Sequence, residues 1–178
     1  YKGPANCMKK KDKIFVAGYA SDETGDWNII KGIYDKSGNL IWSEVYDDSG
    51  NGYDFSESVV VTNSGDFVLS GTGTGFGTGQ DIVTHCNDNI GNRKWSARYT
   101  SYVPAREYSN ASVMDASGNI YMTGKYYTGA KGNDWDYILL KLNSSGEILW
   151  GKTYMGDSTF TSSDEATDIA VDENGNVY

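Results

Sequence analysis

Gly18, Gly71 and Gly124 stand 53 residues apart, each inside a short apolar run: IFVAGY, FVLSGT and IYMTGK. A self-similar spacing of this size means that the chain is built from copies of one supersecondary unit, so the fold must be read from the repeat. The rest of the register agrees. Trp42, Trp95 and Trp150 close the phrases DKSGNLIW, DNIGNRKW and NSSGEILW, and a second turn phrase (NSGD, ASGN, ENGN) carries Gly65, Gly118 and Gly175. Asn28, Asp81 and Asp136 each lie 14 residues before their tryptophan, which places one two-residue insertion between Gly124 and Asp136. Asp54 follows Trp42 by 12 residues whereas Asp164 follows Trp150 by 14, which places a second insertion between Trp150 and Asp164.

Each period reads as four strands, a to d. Runs rich in β-branched and aromatic residues are cut by Gly, Asn, Asp and Ser, and no segment sustains a helical apolar period. The a–b and c–d connections are tight turns with glycine at a fixed offset, the residue that tolerates the positive φ such turns need. The b–c and d–a connections are longer and differ between copies. In an up-and-down sheet they share one edge, so the variation collects on one side of a rigid scaffold, the usual arrangement for a binding surface.

Four-stranded antiparallel units at this spacing are blades of a β-propeller. The expected layout is a single all-β segment over residues 1–178, with blade 1 at about 4–47, blade 2 at about 55–100, blade 3 at about 108–155 and part of a fourth at about 165–178. The phrases DEATDIAVDENGNVY, GNIYMTG and DWDYILLKLNSSGEILWGKTY resemble the bacterial SBBP-type β-propeller repeats, and more distantly NHL repeats. The second copy departs most, with Gln80 where the others have Trp27 and Trp135. The resemblance implies a secreted or cell-envelope protein of bacteria and no particular activity. Propellers close with about four to eight blades. The chain is therefore expected to be a fragment whose remaining blades, or further copies, complete the structure.

Composition narrows the partners. The formal net charge is −9, which argues against nucleic acid or an anionic membrane surface and suits cations, basic proteins or neutral glycans. No apolar run is long enough to insert in a membrane as a helix. Cys7 and Cys86 occupy non-corresponding strand positions and read as free, buried thiols rather than a disulfide.

The recurrent residues have two readings each. The strand-d tryptophans read as packing between neighbouring blades; Trp27 and Trp135 read as packing first and sugar stacking second. Asp54, Glu107 and Asp164 correspond, each just before strand a. They either accept bonds from loop amides, the simpler expectation, or form one carboxylate per blade around a channel mouth that could hold Ca²⁺. Tyr53, Tyr108, Tyr127, Asp134 and Glu165 complete the candidate ligand face. The segment 47–52 has the oxygen spacing of the start of a calcium loop, but Ser58 stands where a glutamate is needed. His85, the one histidine, reads as a structural strand residue, because Leu140 fills its place in the third copy. The expected function is a binding or scaffolding module for a protein or glycan. A propeller enzyme acting on polysaccharide through a metal and a structural subunit of an extracellular assembly are the alternatives.

Overall fold

The computed structural model describes residues 6–48, 52–101, 106–127, 135–154, 156 and 163–178. Twelve strands form three four-stranded antiparallel sheets in simple up-and-down order. Sheet 1 comprises β1 (Asn6–Lys10), β2 (Lys13–Ser21), β3 (Trp27–Asp35) and β4 (Leu40–Tyr46). Sheet 2 comprises β5 (Phe55–Val61), β6 (Phe67–Gly75), β7 (Gly79–Asn87) and β8 (Arg93–Tyr99). Sheet 3 comprises β9 (Arg106–Met114), β10 (Ile120–Tyr127), β11 (Trp135–Leu142) and β12 (Ile148–Tyr154). No helix occurs among the described residues, so none is long and apolar enough to cross a membrane.

The tight turns follow from their first residue. Asp35 accepts the amides of Ser37 and Asn39 at 2.8 and 2.9 Å, and the Asn39 side chain closes on its other oxygen. Asp88 and Asp115 repeat this clasp with Asn92 and Asn119. Such side-chain bonds to the backbone two and four residues on are what make Asp and Asn turn-formers.

The repeat glycine is explained by a β-bulge in the first strand of the sheet. Glu57 is an extra residue between Ser56, which pairs with Gly71, and Ser58, which pairs with Ser70. Asn110 is extra in the same way opposite Gly124. The bulge pushes a carbonyl into the neighbouring strand. A Cβ on Gly71 would lie 2.1 Å from the Phe55 oxygen, and one on Gly124 would lie 1.8 Å from the Tyr108 oxygen. Only glycine permits that approach.

A second bulge recurs at Ile41, Lys94 and Leu149, each directly before its tryptophan. It re-aims strand d so that the indole reaches the next sheet. Trp42 lies on Gly91 and Trp95 on Gly146, glycines of the next sheet's c–d turn, and Trp95 Nε1 donates to the Ser144 carbonyl at 3.1 Å. The tryptophans therefore staple successive sheets, as expected from their register.

The core consists of two slabs between sheets. Phe15, Ala17, Ile29 and Ile33 of sheet 1 meet Val59, Phe67, Leu69 and Val83 of sheet 2. The opposite face of sheet 2, with Val68, Ile82 and Cys86, meets Ile120, Met122, Ile138 and Leu140 of sheet 3. Sheet 2 is thus covered on both faces, which is why β6 and β7 are nearly continuously buried while β11 alternates. Strands β1, β5 and β9 run along one side of the stack, joined by the Ser112–Ser58 hydroxyl contact of 2.8 Å and by Asn6 donating to the Glu57 carbonyl. Both cysteines are free, but Cys7 is exposed, contrary to the expectation of two buried thiols. It sits on β1, whose middle three residues are exposed.

Candidate functional site

The b–c and d–a connections lie on the edge of the stack opposite the tight turns, and the repeat's own chemistry holds them there. Asp54 is 1% exposed and accepts two backbone amides, from Asp48 of the d–a loop at 2.6 Å and from Thr74 near the end of β6 at 2.8 Å. Glu107 accepts the Ser101 amide at 3.3 Å, and Asp164 accepts the Gly156 amide at 2.9 Å. The amide partner lies 6, 6 and 8 residues before its acid. The last interval contains the second insertion. Each acid is a clasp on its own d–a loop, and a longer loop simply closes on a more distant amide. Among the described residues no three His, Cys, Asp or Glu side chains gather as a metal ion would require. Burial pushes the Asp54 carboxyl up to about 6, against the opposing pull of its two amides, and raises Glu107 as well.

The tyrosines fall into separate groups. Tyr53 is 52% exposed and stacks on Phe55, at 6.0 Å between centroids, beside Trp27 and Tyr19. A parallel bridge from Trp27 to Tyr53, with Asp54 N donating to Trp27 O at 2.7 Å, anchors this segment on sheet 1. Trp135 and Ser163 form the same bridge one repeat pair later. Tyr108 and Tyr127 pack on Trp135 at 5.4 and 4.9 Å. Lys125 lies over the Tyr108 and Trp135 rings and pairs with Glu165 at 3.3 Å, and Asn110 also donates to Glu165. Trp27 and Trp135 thus pack within the scaffold. Gln80 preserves the joint without an indole, because its Oε1 accepts the Tyr108 hydroxyl. Asp134 and residues 49–51 of the calcium-loop-like segment lie outside the described residues.

Among the described residues, two exposed aromatic side chains on this edge, Tyr53 and Phe76, stand at positions that do not recur. Phe76, at the tip of the β6–β7 loop, is 86% exposed. A recess of about 590 Å³ lies between the 22–26 loop and the d–a segment, lined by Asp22, Asp26, Asp47 and Tyr53 among others. Asp22 is itself a turn clasp, bonded to the amides of Thr24 and Asp26, and the Thr24 hydroxyl and amide bonds hold its pKa below the ordinary value.

Two charged clusters escaped the sequence reading. Arg98 bridges buried Asp81, at 2.6 Å, and Asp48 of the preceding d–a loop. Lys31, fully buried, pairs with Glu44 at 2.7 Å, and Glu44 pairs across the sheets with Arg93 at 3.0 Å. Desolvation lowers the Lys31 ammonium to about 8. His85 is 2% exposed, edge-on to Tyr46 at 4.3 Å, and burial beside Lys31, Arg93 and Arg98 depresses it to about 2. A neutral imidazole sealed behind Tyr46 cannot exchange protons with a substrate, which supports its expected structural role. The signal for the Lys31 network was a lysine at the centre of an apolar strand, WNIIKGIYD.

Comparison of the chain with models of known protein families and with curated protein sequences gave no match.

Proposed function

We propose that this chain is a segment of a β-propeller of SBBP-type repeats, serving in the bacterial envelope or outside the cell as a binding or scaffolding module. Three stacked four-stranded sheets with strand a along one side support the propeller reading. The pattern begins again after sheet 3: Ala170 and Tyr178 exchange backbone bonds, and Asp172 clasps Asn174 and Asn176 as Asp115 clasps its turn. Further blades, or further copies of the chain, would continue the stack there.

The observation that carries the binding reading is the solvent-open Tyr53 and Phe76, with the acid-lined recess beside Tyr53, on the edge where the repeat does not dictate sequence. Exposed aromatic rings with acidic neighbours suit a basic peptide segment or the apolar face of a sugar. The test is an array of neutral glycans and lysine-rich peptides probed with the wild-type chain and with Tyr53→Ala/Phe76→Ala. Capture of one class, weakened about tenfold or more in the double variant, is expected. No capture of either class, or capture that survives the double substitution, would overturn the reading.

A further inference from the structure

The chain carries a formal net charge of −9, yet five of its 15 Lys and Arg residues gather at one corner of the tight-turn edge. Lys9, Lys10, Lys11 and Lys13 belong to the β1–β2 hairpin, and Lys36 to the β3–β4 turn. The register sets them together: Lys10 pairs with Lys13 across the hairpin, and Lys13 pairs with Asp35, the residue before Lys36. Lys9 and Lys11 are exposed and have no partner among the described residues. Lys10 Nζ donates to Asn63 Oδ1 at 3.3 Å, and Lys13 Nζ donates to the Asn89 carbonyl. Both acceptors are neutral, so each ammonium keeps its charge and two further N–H donors. Lys36 has a loose pair with Asp12, at 3.8 Å between well-exposed side chains. Elsewhere Lys31, Arg93, Lys94, Arg98 and Lys125 each hold a carboxylate at 3.3 Å or less. The other acids at the corner are already engaged. Asp35 and Asp88 clasp their own turns and Asp66 holds Lys94, so a positive excess remains.

The same hairpin departs from the repeat in its backbone. The other a–b turns place glycine at positive φ, with Gly65 at +94°, Gly118 at +84° and Gly175 at +82°. Here the turn is the two residues Lys11 and Asp12, and Lys11 takes φ +54°. It is the one non-glycine residue with a positive φ among the described residues. Lysine strains the backbone where glycine would not. An exposed side chain offers no packing to offset that strain, so its charge is what the position supplies. A sparse, extended anion fits this corner better than a dense one. A nucleic acid carries a charge about every 1.7 Å and meets the negative charge of the remaining chain. The exposed rings of Tyr53, Phe76, Tyr154 and Tyr178 all lie outside this hairpin and turn, so bases find no stacking partner among them. A polyuronate carries one carboxylate per sugar and suits the mobile point charges of lysine. We propose that this corner is a docking surface for an acidic polysaccharide, whose carboxylates meet Lys9, Lys11 and Lys36. It lies on the edge opposite Tyr53 and Phe76 and stands or falls separately from the loop-edge reading.

Decagalacturonate, labelled at its reducing end and followed by fluorescence anisotropy with the intact chain, is the probe. The expected result is saturable binding in about 50 mM NaCl that weakens about tenfold or more in about 300 mM NaCl. Neutral maltodecaose does not bind. Lys9→Gln/Lys36→Gln weakens binding about tenfold or more. Arg106→Gln/Lys152→Gln makes the same charge change at exposed positions away from the corner and leaves binding unchanged. Lys11→Gly weakens binding while raising the melting temperature, because glycine takes this φ without strain. The proposal is overturned by no saturable binding in the wild type, by equal loss in the two double variants, or by a Lys11→Gly chain that binds as well as the wild type or melts lower. Capture of maltodecaose, or tighter capture of a single-stranded DNA decamer, would overturn it equally.

Discussion

Replacing Gly124 by alanine tests the link between the sequence period and the bulge. The new Cβ would stand 1.8 Å from the Tyr108 oxygen and 2.8 Å from its carbonyl carbon. A carbon–oxygen contact requires about 3.3 Å, so β9 would have to withdraw by about 1.5 Å at this point. It cannot do so cheaply, because β9 is packed against β5, β6 and β7 of the preceding sheet. Overpacking of this kind costs about 1–3 kcal/mol. Withdrawal would also break about two ladder bonds at about 1 kcal/mol each. The expected loss is therefore about 3–5 kcal/mol, or about 10 °C in melting temperature for a chain of this size. Gly38→Ala is the control: its φ is +85° but a Cβ there meets nothing within 4 Å, so only the backbone cost of about 1 kcal/mol applies. Urea denaturation followed by intrinsic fluorescence gives both values. If Gly124→Ala costs no more than Gly38→Ala, the bulge does not explain the period.

Other substitutions test the remaining joints. Trp95→Ala should cost about 3 kcal/mol by equilibrium denaturation, through loss of the staple on Gly146. His85→Leu installs the residue that the third copy carries. Because the folded state holds His85 neutral, with its pKa depressed to about 2, the unfolded chain binds the extra proton as pH falls below about 6.5. Wild-type stability relative to the variant should then drop by up to about 1.4 kcal/mol per pH unit on the acid side; parallel stability–pH curves would contradict this. Asp54→Asn places a donor where an acceptor is needed, and should cost about 1–2 kcal/mol at pH 7 with faster amide hydrogen exchange at Asp48 or Thr74. The Asp54 carboxyl is raised to about 6 in the fold, so the wild-type advantage should be larger near pH 4 than at pH 7.

Strand order, turn positions, tryptophan staples and the loop-clasping acids were legible in the sequence, because each recurs in register and each depends on short-range chemistry. The carboxylate clasp even follows the insertion, reaching from Asp164 to Gly156 over two further residues. The reason for the repeat glycine was not legible, since a bulge is a property of pairing between strands and Glu57 and Asn110 share no residue type. The Lys31–Glu44–Arg93 network was missed for a related reason. It arises from a difference between copies, since the positions equivalent to Lys31 carry Thr84 and Leu139. Reading the repeat for what it shares reveals the scaffold, and the exposed Tyr53 and Phe76 lie in what it does not share.

That division is tested most directly at the aligned acids, recurrent residues with a competing metal-binding reading. Melting curves of the wild-type chain in millimolar Ca²⁺ and in EDTA are the measurement. If Asp54, Glu107 and Asp164 serve as clasps on loop amides, the two melting temperatures agree. A rise in Ca²⁺ that disappears in Asp54→Asn would show that a recurrent position binds a ligand, and would contradict the account.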